Sequence, residues 1–142
     1  MAKQLSVFIE NKEGMLKKVL HVLKVNDVNI LSLSLADTTE YGLLRLIVNN
    51  PELAREKLIE SGFSSMIAEV VIVKVPHKAG SLQSILELLA DNNINIEYTY
   101  ALTTDGIDAS IVIKTNDLQK VNAIASKNAI DTVSDEELKK LH

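Results

Sequence analysis

Hydrophobic and polar residues alternate from Gln4 to Ile9. Leu5, Val7 and Ile9 fall on one side and Gln4, Ser6 and Phe8 on the other, the period of two that predicts a strand with one strongly apolar face. A polar loop, Glu10-Asn11-Lys12-Glu13-Gly14, follows, and the period then changes. Leu16, Val19, Leu20 and Leu23 recur at i, i+3, i+4 and i+7, one stripe of a helix, which Asn26-Asp27 ends because Asn tolerates the left-handed conformation of a helix stop. Alternation returns from Asn29 to Ala36, with Leu31, Leu33 and Leu35 opposite Ser32 and Ser34. The polar turn Asp37-Thr38-Thr39-Glu40 leads to a third strand from Tyr41 to Val48. Asn50-Pro51 supplies a capping side chain and then a proline at the first helical position, so a second helix is predicted from Pro51 to Ser61, closed by Gly62. A fourth strand near Phe63 to Ala68 completes β-α-β-β-α-β, the split arrangement with two helices on one face of an antiparallel sheet.

The same plan then begins again. Val70 to Val75 reads as a strand, and Leu82, Ile85, Leu86 and Leu89 repeat the helical stripe at an offset of 66. Between 14–30 and 80–96 the pairs Gly14/Gly80, Leu16/Leu82, Leu20/Leu86, Leu23/Leu89, Asn26/Asn92, Asn29/Asn95 and Ile30/Ile96 are identical, so the chain is an internal repeat. Beyond Gly106 the offset is read as falling to about 65, a change placed in a polar turn where insertions are tolerated. Ile107 to Ile113 is then a strand, Leu118 to Ser126 a helix and Ala129 to Val133 a short last strand. Ser134 with Glu137 forms a capping box that opens an extra short helix. The expected fold is α+β: two ferredoxin-like β-α-β-β-α-β repeats, antiparallel sheets with helices on one face, over residues 1–68 and 69–142. Both faces of the strands carry apolar residues, Val70 and Ile72 against Val71 and Val73, which predicts that the second face is covered, by the other repeat or by another chain.

Composition narrows the function. The chain has 142 residues, a net charge of −4 and no basic stripe, so nucleic acid is not an expected partner. There is no cysteine, hence no disulfide, thiolate metal site or thiol nucleophile. No apolar run reaches the length of a membrane span and the N-terminus carries no export pattern, so a cytoplasmic protein without a membrane partner is expected. His21, His77 and His142 are scattered without ligand spacing, and no Ser-His-Asp, Walker-type or metal-ligand set is present. No catalytic residue, metal or cofactor is expected.

Two loops stand where an alternating strand meets an amphipathic helix. They are Ile9-Glu10-Asn11-Lys12-Glu13-Gly14-Met15-Leu16 and Val75-Pro76-His77-Lys78-Ala79-Gly80-Ser81-Leu82. With Asp27-Val28-Asn29-Ile30 and Asn93-Ile94-Asn95-Ile96 opening the next strands, each repeat resembles an ACT domain, over nearly the whole chain twice. The resemblance implies a regulatory, non-enzymatic protein that binds a small molecule, a free amino acid or related metabolite, at an interface between paired domains. It implies a site in which Asn11, Lys12, Glu13, Gly14, Met15 and Leu16 face Asn95 and Ile96, while His77, Lys78, Ala79, Gly80, Ser81 and Leu82 face Asn29 and Ile30. The free N–H groups of Gly14, Met15 and Leu16 would meet a carboxylate where the helix dipole contributes about 0.3–1 kcal/mol. A proline often precedes the loop glycine in the family. Here Glu13 and Ala79 stand there, and Asn11 differs from His77, so the two sites need not bind alike.

Plainer readings accompany each residue. Gly14 and Gly80 also suit a tight turn, Asn29 and Asn95 a helix-to-strand turn, and Lys12 and Lys78 an exposed surface. His21 and His142 are assigned no role, and Tyr98 with Tyr100 are expected to pack on the sheet. A homodimer is expected, with a metabolic enzyme as a further partner. The competing reading is a protein-interaction or regulatory subunit with vestigial ligand sites. A small acyl-phosphate hydrolase is disfavoured because Arg45 and Arg55 lie outside the loops.

Overall fold

A computed structural model describes residues 1–37, 40–102 and 109–141. The expected turn at Thr38-Thr39, the residues Gly106 and Ile107, and His142 lie outside the described residues. In order, the chain forms β1 (Ala2–Glu10), α1 (Met15–Val25), β2 (Ile30–Asp37), β3 (Tyr41–Val48), α2 (Pro51–Glu60) and β4 (Ser64–Val75). It continues with α3 (Ser81–Asp91), β5 (Ile96–Leu102), β6 (Ala109–Thr115), α4 (Leu118–Lys127) and α5 (Asp135–Lys139). The fold is α+β, built of ferredoxin-type repeats. Two compact units divide it: Lys3–Ala68 with the residues from Leu138 onward, and Glu69–Glu137 with Met1–Ala2. No helix among the described residues is long and apolar enough to cross a membrane.

In the first unit the hydrogen-bonded strand order is β2-β3-β1-β4. β1 pairs antiparallel with β3, setting Leu5 opposite Leu46, Val7 opposite Leu44 and Ile9 opposite Gly42. Pleating places these residues on one face. There they form one buried cluster with Val19 and Leu23 of α1 and Ala54 and Leu58 of α2. The second unit repeats the construction with the order β4-β6-β5, its core joining Val71, Val73, Val75, Ile111 and Ile113 to helical Ile85, Leu89, Val121 and Ile124. Both capping signals are realised. Asn50 Oδ1 accepts from the Leu53 N–H at 3.3 Å, and the Ser134 hydroxyl accepts from the Glu137 N–H at 3.2 Å.

The structure departs from the expectations in four places. The strands expected on either side of Ala68-Glu69-Val70 are one continuous strand of 12 residues, with no turn at the junction. The last strand of the second repeat shrinks to a bridge between Thr132 and Val73, flanked by Lys74 N–H to Asp131 O (2.8 Å) and Val133 N–H to Ile72 O (2.9 Å). The repeat offset rises and does not fall: Ile9 opposes Gly42 and Val75 opposes Ala109, an offset of 66 on one strand and 67 on its partner. Ala109 holds the position of Gly42, so the second repeat has one residue more, not one fewer, before this strand. Finally, the left-handed residue at the end of α1 is Asp27 (φ 58°), while Asn26 stays at φ −101° and its amide donates to the Val22 carbonyl at 2.8 Å.

Residues off the helix-packed face are also buried. Val70, Ile72 and Val112 have no exposure, and neither do Gln4 and Ile47. Edge strand β2 runs the other way: Leu33 and Leu35, which share the helix-packed face through their pairing with Leu46 and Leu44, remain 47% and 46% exposed, whereas Ser32 is buried. Neither Leu33 nor Leu35 joins the cluster that α1 and α2 form with β1 and β3. In β5 the positions of Leu33 and Leu35 hold Thr99 and Ala101. Tyr98 and Tyr100 lie on the opposite face of β5, their rings stacked 6.4 Å apart.

Candidate functional site: two uncapped helix starts

Four of the helices follow loops of two kinds. α2 and α4 start on side-chain caps, Asn50 and Asp117; Asp117 Oδ1 accepts from the Lys120 N–H at 3.0 Å. α1 and α3 instead start on Gly14 and Gly80, in the left-handed region at φ 81° and 85°, with no side-chain cap. A Cβ at either glycine would meet nothing within 4 Å, so glycine is there for its backbone angle and the space before it is open.

The N–H groups at these starts are partly engaged, which corrects the expectation. Met15 N–H donates to Lys12 O at 3.4 Å and Ser81 N–H to Lys78 O at 3.2 Å, closing a turn over each glycine. The N–H groups of Gly14 and Leu16, and of Gly80 and Leu82, have no backbone partner among the described residues. The N–H groups of Lys17 and Gln83 likewise have none, so unpaired donors gather at each helix start, where the helix dipole is positive.

Each loop is held in the same form, through Lys12 N–H to Glu10 O and Lys78 N–H to Pro76 O, both 2.9 Å. The first is also tied to its sheet by Asn11 N–H donating to Glu40 O at 3.0 Å. Their charges differ. In the first loop Lys12 pairs with Glu10 at 3.2 Å and Glu13 adds an exposed carboxylate; the second carries His77 and Lys78 with no acid from Val75 to Leu82. A carboxylate ligand is thus opposed at the first loop and favoured at the second. The second loop walls a cleft of about 530 Å³, reaching from His77, Lys78, Ala79 and Gly80 across Leu82 to Ala109 and Ile111.

The strand starts lie elsewhere in each repeat. β1 and β2 both pair antiparallel with β3 and so run parallel; the loop follows the C-terminal end of β1, while Asn29-Ile30 opens the N-terminal end of β2. Asn11 to Leu16 and Asn29-Ile30 therefore stand at opposite ends of one sheet, and β4, β6 and β5 separate the His77 loop from Asn95-Ile96 in the same way. Asn29 is locked locally: its N–H donates to Asn49 Oδ1 at 2.9 Å and its carbonyl accepts from Asn49 N–H at 3.1 Å. Asn49, missed from the sequence, shapes this start together with Lys24 and Asp27 around a cleft of about 560 Å³. Asn49 stands just before the Asn50-Pro51 cap, and nothing in its own sequence position marks the partner it finds at Asn29. Asn95 is exposed, and Met15, Leu16, Ile30 and Ile96 pack at the margins of the two cores.

The family model that describes an ACT domain pair matches residues 1–142. The chain belongs to the ACT domain family. A chain similar to it in structure is protein BT0572 from Bacteroides thetaiotaomicron, at 33% identity and a TM-score of 0.92 over 99% of this chain and 96% of that one. The ACT-type fold is shared with the regulatory subunit of aspartate kinase from Thermus thermophilus, at 16% identity, a TM-score of 0.60, and 88% and 91% of the two chains. It is also shared with that from Thermus flavus, at 14%, 0.58, and 88% and 90%. No protein with a curated description matches the chain.

Proposed function

We propose that this ACT pair is a non-enzymatic regulatory protein that binds a free amino acid at the glycine turns opening α1 and α3. The observation that carries this is the contrast between helix starts: α2 and α4 are closed by their own side chains, whereas α1 and α3 are left with a left-handed glycine, unpaired N–H groups and open space. A carboxylate suits those donors and the dipole behind them. His77 and Lys78 make the second loop the stronger site, and Glu13 weakens the first.

Because loop and strand start lie at opposite ends of a repeat, a ligand that touches both takes its second half from a different copy of the domain. The apolar edge at Leu33 and Leu35 supports a homodimer. The bound state would be read by a partner, which for the regulatory subunits sharing this fold is aspartate kinase by name. Such a response is bounded by the ligand's differential affinity for the two states.

A thermal-shift scan against the free amino acids tests the proposal. A ligand at 100 times its dissociation constant contributes about 2.7 kcal/mol, which for a chain of this size raises the midpoint by roughly 5–10 °C. Lys78→Glu should diminish that shift more than Lys12→Glu. Flat curves throughout would overturn ligand sensing and favour the interaction module with vestigial sites.

A further inference from the structure

The first repeat holds a larger cleft that borders its glycine turn at Gly14 and Met15 and extends away from it along α1. It lies between α1 and the turn after α2 and encloses about 720 Å³, within the range of small-molecule sites. Its floor is unsealed core: Met15, Val22 and Phe63 are partly buried residues packed at the margin of the first unit's cluster. Its wall is basic, formed by Lys17, Lys18 and His21 on successive turns of α1. These three side chains are exposed and form no ion pair among the described residues. The acids nearby are Glu10, at the rim and engaged by Lys12 at 3.2 Å, and Glu13, one turn before Lys17.

The second repeat provides an internal control. Its equivalent cleft, between α3 and the turn after α4, is about 370 Å³. At the positions of Lys17, Lys18 and His21 the second repeat has Gln83, Ser84 and Glu87, with the Gln83 amide donating to the Glu87 carboxylate at 2.9 Å; of the three only Ser84 lines this cleft, whose lysine, Lys74, comes from β4 and not from the helix. Folding alone therefore does not require a basic α1. An apolar floor of this size under a cationic wall is matched by a ligand with the opposite arrangement.

We infer that the cleft between α1 and the α2–β4 turn binds a small anionic amphiphile, an organic acid whose apolar chain lies on Met15, Val22 and Phe63 while its charge meets Lys17, Lys18 and His21. This site goes beyond the amino-acid reading and does not rest on it.

The test is an NMR titration of ¹⁵N-labelled full-length protein with sodium octanoate, octylammonium, 1-octanol and acetate. Octanoate should saturably shift amides of residues 15–22 and 61–63, with acetate, octanol and octylammonium at least tenfold weaker. Grafting the second repeat's residues, Lys17→Gln with Lys18→Ser and His21→Glu, should weaken octanoate at least tenfold. All three are exposed, so the dispersion of the spectrum should persist, and any amino-acid response at the His77 loop should be kept. Equal binding of octanol or octylammonium would overturn the charge assignment, and equal binding of acetate the apolar one. Unchanged octanoate affinity in the graft, or shifts confined to other residues, would overturn the site. Co-sedimentation with phosphatidylglycerol vesicles without saturable octanoate shifts would assign the basic wall to a membrane surface instead.

Discussion

Ala129 occupies a backbone conformation that its side chain opposes. It follows α4 at φ 56°, and the residue in the same place after α2 is Gly62 at φ 91°. Both sit one residue beyond the helix stop, Asn128 and Ser61, and in both cases the next N–H closes back on the helix: Ile130 to Ala125 O at 2.9 Å and Phe63 to Leu58 O at 2.9 Å. The turn thus demands a left-handed residue in each repeat, and only one repeat supplies glycine. Holding a Cβ-bearing residue in that region costs roughly 1–2 kcal/mol, and the extra unfolded-state entropy of glycine returns about 0.4–1 kcal/mol of it. Ala129→Gly should therefore stabilise the chain by about 0.5–1 kcal/mol, since Ala129 is exposed and little packing is lost with its methyl group. Gly62→Ala should destabilise it by a similar amount, about 0.5–1 kcal/mol, for the same backbone reason. A Cβ there meets nothing within 4 Å, so no clash enters. Urea unfolding should show opposite displacements of the midpoint at unchanged slope, and calorimetry a change of roughly 2–4 °C in each direction. A less stable Ala129→Gly, or a neutral Gly62→Ala, would refute the reasoning.

Ile72→Ala should cost about 2–4 kcal/mol although Ile72 lies off the helix-packed face, while Leu33→Ala, on that face but half exposed, should cost under about 1 kcal/mol; urea midpoints distinguish them. The Lys3 ammonium, 2.6 Å from Glu52, holds the Glu52 carboxyl below its ordinary range, with burial opposing weakly. With the folded value depressed, the pair's contribution is present above the unfolded value of about 4.3 and fades as pH falls through the folded one. Lys3→Met should cost only about 0.2–1 kcal/mol at neutral pH, because both side chains are more than a third exposed. That difference should shrink in 1 M salt and below the carboxylate range, and one that grew in acid would contradict the pairing.

Much of this protein was legible in the residue order because its rules act locally. The stripe Leu16, Val19, Leu20 and Leu23, the Asn50-Pro51 cap and the Ser134–Glu137 box each need only neighbours within a turn or two, and all three lie where the periodicity places them. Written twice, the same local rules yield two repeats, and the glycine at each loop follows from a backbone angle that few other residues adopt. The tertiary structure decided what depends on distant partners. Leu33 and Ser32 alternate plainly in sequence, yet Ser32 is buried and Leu33 stays outside the cluster that α1 and α2 form with β1 and β3. The register of β6 against β4 fixes the repeat offset at 67 on β6, and β4 runs through Ala68-Glu69-Val70 without a turn. Lys17, Lys18 and His21 are exposed positions of α1, and only the turn at Ser61 to Phe63 beside them makes them the wall of a cleft. Periodicity gives each residue a face, but only the packed neighbour determines whether that face meets core, solvent or a cleft.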